Sequence, residues 1–96
     1  MNQEGLICKA ILEKRQIYFF YDGEIRILEP HAYGKRDGSP RLLAYQVGGN
    51  SSSGKPLGWR HFELDKAGYF SITTDGFKTR QVEAPKSWTF KIAVVR

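Results

Sequence analysis

The sequence predicts a mainly β domain: one N-terminal helix, then a small, strongly bent antiparallel sheet closed or nearly closed into a barrel. Three observations carry this. Helical periodicity is confined to the first stretch of the chain, the later apolar runs are short and rich in β-branched and aromatic residues, and Asp-Gly pairs punctuate them at 22–23, 37–38 and 75–76. At 96 residues the chain has room for one domain.

From Gln3 to Arg15, Leu6, Ile7, Ala10 and Ile11 fall on one helical face, with Glu4, Lys9, Glu13 and Lys14 outside it. IYFFY then reads as strand one, about 16–21, ended by the hairpin signal Asp22-Gly23. The run EIRILEPHAY is strand two, and Pro30, which lacks a ladder donor, marks an edge or the strand's end. RLLAYQV follows the Asp37-Gly38 turn and alternates Arg41, Leu43 and Tyr45 against Leu42, Ala44 and Gln46. GGNSSSGKPLG reads as a mobile loop. WRHFEL sets Phe62 and Leu64 against Trp59, His61 and Glu63; GYFSITTDGF is a fifth β segment ended by the Asp75-Gly76 turn. WTFKIAVV is strand-like and packs back onto the sheet, giving a single domain of helix (3–15), barrel core (16–77) and C-terminal segment (78–96).

A composition of 41% hydrophobic and 26% charged residues is that of a folding globule, not of a disordered chain, and no apolar run approaches the roughly 18 residues of a membrane span. Cys8 is the single cysteine, so no intrachain disulfide forms and a Cys/His metal cage lacks ligands. A cytoplasmic setting fits, and neither metal nor cofactor is expected. The net charge of +5 points to an anionic partner.

Gly49 to Lys55 matches the Gly-x-x-x-x-Gly-Lys part of a phosphate-binding loop, but Pro56 stands where the magnesium-holding hydroxyl belongs, and strand rather than helix follows. Cys8 lies beside the apolar stripe of the helix, which makes it a packed thiol and not a nucleophile. His31 reads as a structural hydrogen-bonding residue. With two histidines and scattered carboxylates in no recognisable arrangement, no catalytic residue is assigned. The informative constellation is basic and aromatic: Arg26, Tyr33, Arg41, Tyr45, Arg60 and His61, together with Lys35, Arg36 and Trp59, lie on or beside strands two to four. Guanidinium forks for phosphate oxygens and rings for bases are the pairing that single-stranded nucleic-acid binders use.

The order helix, IYFFY, EIRILEP, LLAY, WRHFELDK and an aromatic-rich strand, over about residues 10–77, resembles the WYL domain, an SH3-like (Sm-type) barrel of bacterial regulators and CRISPR-associated accessory proteins. Arg26 with Pro30 resembles its Arg-x-x-x-Pro step, and Arg60-x-Phe62-x-Leu64-Asp65-Lys66 its basic-aromatic-aliphatic strand. The family's Trp-Tyr-Leu corresponds to Pro40-Arg41-Leu42, and Glu63 stands where it usually has an arginine. The resemblance implies binding of nucleic acid or a nucleotide-like effector, in a transcription-regulatory or defence setting.

The resulting expectation is a non-enzymatic module that recognises an anionic ligand, foremost single-stranded nucleic acid or a nucleotide. Arg41, Tyr45 and His61 form the ligand face, with Arg26, Tyr33 and Arg60 in support. The alternative is a protein-interaction module or structural domain that uses a sheet edge, near Pro30 or at the Gly/Ser loop, to take up a partner strand.

Overall fold

Helix α1 (Gln3–Glu13) ends where Lys14 turns left-handed at φ 54°, two residues short of the expected boundary, and Arg15 already opens the first strand. Its buried residues are Ile7, Ala10 and Ile11, one turn apart. A helix of this length is marginal in water alone, and burying each isoleucine supplies about 1.5–3 kcal/mol toward holding it on the sheet. The protein is described by a computed structural model over residues 3–49, 57–81, 86–88 and 90–94.

The strands are β1 (Arg15–Tyr21), β2 (Glu24–Arg36), β3 (Ser39–Gly49), β4 (Trp59–Glu63), β5 (Ala67–Gly76) and β6 (Phe90–Val94), with a 3-10 turn at Leu64–Lys66 between β4 and β5. All ladders are antiparallel, in the order β4-β3-β2-β1-β5. β2 is the spine: its first half pairs with β1 and its far end, Ala32 to Lys35, with β6. This is a small, mainly β arrangement of one antiparallel sheet with a single N-terminal helix. It stays open, because no ladder joins β4 to β5 among the described residues. Side chains of β1 and α1 reach β4 and the 3-10 turn instead. The Glu63 N–H donates to the Tyr21 hydroxyl at 3.3 Å, the Phe62 ring meets Tyr21 edge-on at 5.0 Å, and Gln3 donates to the Leu64 carbonyl at 3.4 Å.

The Asp22-Gly23 and Asp37-Gly38 pairs are two-residue hairpin turns with positive φ at both positions (54° and 74°; 50° and 83°), the combination that matches strand twist. Asp75-Gly76 differs from expectation: it is not a turn but the end of β5, with Gly76 opposite Arg15. Pro30 is likewise neither an edge nor a strand end. β2 runs through it, and a register shift between Pro30 and Ala32 absorbs the missing donor. The expected edge for a partner strand near Pro30 is therefore occupied by β3. The Gly/Ser loop lies mostly outside the described residues, but Gly49 ends β3 and Trp59 opens β4, so the phosphate-loop match runs from strand to strand.

The core collects the even positions of β3 and β4 (Leu42, Ala44, Phe62), Leu64 of the 3-10 turn, the odd positions of β1 (Ile17, Phe19) and the inner helix face. Phe19 is its centre, fully buried and meeting Phe62 at 5.1 Å and Phe70 at 5.0 Å between ring centroids. Among the described residues no helix is long and apolar enough to cross a membrane.

Candidate binding surfaces

Alternation along β3 turns Arg41, Leu43 and Tyr45 away from this core, and the β3–β4 register sets Glu63, His61 and Trp59 opposite them in turn. The structure thus places Arg41, Tyr45 and His61 on neighbouring positions of one face. Their partners define what that face offers. Arg41 Nη1 donates to Glu63 Oε1 at 2.9 Å, and Lys66 Nζ holds the other oxygen of the same carboxylate at 2.7 Å. Lys66 first, then Arg41, hold the Glu63 carboxyl below its ordinary range. His61 is exposed.

Tyr45 is covered. The chain beyond β5 crosses the outer side of β2 and β3, and the Arg80 guanidinium carbon lies 3.7 Å from the Tyr45 ring centroid. Arg80 Nε donates to Glu29 Oε1 at 2.8 Å, and Glu29 is the residue opposite Tyr45 in the β2–β3 ladder. Trp59 stands perpendicular to Tyr45 at 5.2 Å and to His31 within 5.0 Å. Further along, Trp88 packs on Ala32 and Leu43, so a second apolar cluster seals the middle of the same face.

Of the supporting residues, Arg26 is buried, bonded to the Tyr21 carbonyl at 3.4 Å and over the Tyr21 ring at 5.7 Å, with Glu24 at 4.0 Å. Tyr33 is buried in the main core, where burial holds its hydroxyl above the ordinary range. Arg60 is half-buried opposite Ala44. Neither Arg26 nor Tyr33 reaches the surface shared by Arg41 and His61. Cys8 packs against the core, and burial, with Glu4 nearby, pushes its thiol up.

A different surface is open and aromatic. The even residues of β1, Tyr18 and Phe20, face outward with Ile25 of β2. Together with Tyr69 and Ser71 of β5 they line a shallow groove of about 380 Å³. Tyr69 is 85% exposed and meets Phe20, itself 44% exposed, edge-on at 5.8 Å. A register shift in β5 opposite Tyr18 and Phe20 puts Tyr69 in the left-handed region at φ 58°. That conformation costs a non-glycine residue about 1–2 kcal/mol. Here an exposed ring is held up at an energetic cost with no core to fill, the pattern of strain kept at functional positions. The sequence hid this groove because IYFFY is bulky at every position, so composition does not separate its inward from its outward residues.

Comparison with protein-family models, with curated proteins and with solved structures found no match to this chain.

Proposed function

We propose that the chain is a non-enzymatic protein-interaction module that takes an extended, proline-rich segment of a partner protein into the groove of Tyr18, Phe20, Ile25 and Tyr69. The carrying observation is the exposed Phe20–Tyr69 pair, presented by a left-handed tyrosine on the β1–β5 side of the sheet. The groove lining contains no charged side chain. Flat ring faces without charge suit a preformed polyproline-type helix, which loses little entropy on docking. The reading keeps the idea of an interaction module and moves its surface from a strand edge to a side-chain groove. The β5 edge beside it is broken by two register shifts, which disfavours strand addition there.

NMR titration with a proline-rich decapeptide tests it. Shifts centred on the Phe20 and Tyr69 resonances, absent with a scrambled peptide lacking proline, support the reading; shifts elsewhere or none at all oppose it.

A second reading is the anionic-ligand module that the resemblance to the WYL domain implies. The observation favouring it is the exposure of Trp59 and His61 along β4 in a chain of net charge +5. Against it stand Glu63 on Arg41 and Arg80 on Tyr45, which already engage the cation and the ring that a nucleotide would use. An oligothymidylate titration at 50 mM salt discriminates, since phosphate contacts give an affinity that falls steeply with added salt.

A further inference from the structure

The segment 77–81 is fastened to the sheet through a buried histidine. His31 has no exposed surface, and both of its ring nitrogens are engaged. Nδ1 lies 2.9 Å from the Glu29 carbonyl oxygen, which only accepts, so Nδ1 carries the proton. Nε2 then presents its lone pair, and the Arg80 backbone N–H donates to it at 3.1 Å. Other fastenings include the Phe77 N–H to the Lys14 carbonyl at 3.0 Å, the Phe77 ring tilted on His31 at 5.1 Å, and the Arg80 side chain on Glu29 and Tyr45.

From this geometry we infer that residues 78–81 form a proton-released strap: protonation of His31 at Nε2 detaches Arg80 and uncovers the Tyr45 ring on the outer face of the sheet. A protonated Nε2 points a hydrogen at the Arg80 N–H, so an accepting contact becomes donor against donor. The strap cannot keep that bond and the proton together. The inference concerns the β2–β3 part of the outer face, whose residues do not line the aromatic groove, and is independent of the function proposed for that groove.

The charged groups facing the ring act in opposite directions. Burial disfavours the imidazolium most strongly, the Glu29 carbonyl and carboxylate favour it, and the Arg80 guanidinium opposes it; the net result is a pKa below the ordinary histidine value of 6.5. Trp59 and Phe77, the other neighbours, are neutral rings. The closed strap is therefore complete at neutral pH, and its hold weakens as pH falls below 6.5. Once open, Arg80 leaves Glu29 as well, so the uncovered face gains an acidic group beside the Tyr45 ring.

Backbone ¹⁵N relaxation on the full chain at pH 7.5 and pH 4.5 tests this. In the wild type the Arg80 order parameter falls from about 0.85 to below about 0.6, while Leu42, Ala44 and Ile17 keep their values. In His31→Gln, whose side chain is uncharged at both pH values, the Arg80 order parameter does not respond to pH. That variant retains Glu29, so it separates histidine protonation from any loosening due to the carboxylate. A wild-type Arg80 indifferent to pH, a His31→Gln variant that keeps the response, or simultaneous melting of β1 and β3 would each overturn the inference.

Discussion

The Arg80 guanidinium carbon lies over the Tyr45 ring, 3.7 Å from its centroid, although 35 positions separate them in the chain. The contact turns a residue expected to receive a ligand into one that receives the protein's own C-terminal segment. Ring-current shielding reports it directly. The Arg80 δ-methylene protons resonate upfield of their random-coil positions, and Tyr45→Leu returns them while lowering the melting temperature. Unshifted Arg80 protons in the wild type would mean the stack is absent in solution.

Phe19 joins β1 to β4 and β5 through its ring contacts and has no exposed surface. Phe19→Ala therefore removes a full aromatic volume from a packed centre and destabilises the fold by about 3–5 kcal/mol. Urea denaturation checks the value, and a loss under 1 kcal/mol would contradict the core assignment.

Two glycines with nearly the same backbone respond differently to alanine. At Gly23 (φ 74°) an added Cβ meets nothing within 4 Å, so Gly23→Ala costs only the left-handed strain, about 1 kcal/mol. At Gly49 (φ 83°) the same carbon falls 2.3 Å from the Ile25 carbonyl oxygen, and backbone cannot move aside as a flexible side chain does. Gly49→Ala costs at least about 2 kcal/mol, strain and overlap together. Equal losses in denaturant titrations would show that the β2–β3 approach is looser than described.

Glu63 lies between Lys66 and Arg41, which favour its ionised form. A carboxyl whose folded pKa is depressed stabilises the fold above its ordinary titration and loses that contribution as pH falls through the folded value. A ¹³C titration of the Glu63 carboxyl should give a midpoint below 4.5, moving upward in Arg41→Ala and in high salt. An unshifted midpoint would remove the account of Arg41 as an already engaged cation.

What could be read in the residues was whatever is local. The two Asp-Gly hairpins follow from φ preferences at adjacent positions, and the inward and outward sets of β3 and β4 follow from alternation, because small or polar residues mark one face. Pro30 misled because its tolerance depends on a bulge against β3, which is a property of the pair of strands. The site was legible only as a set of neighbouring positions. Arg41, Tyr45 and His61 do adjoin, but Glu63 cancels one, and Arg80, fastened to Glu29 from 51 residues away, covers another. No local pattern carries contacts of that range, nor the left-handed turn that lifts Tyr69.

In the proposed role Tyr69 is held in strain for recognition and not for folding, and Tyr69→Gly separates the two. Glycine accepts φ 58° without penalty, so the variant should melt no lower than the parent while its binding of the proline-rich decapeptide weakens at least tenfold. Unchanged binding, or a loss of stability equal to that of a core substitution, would contradict the account.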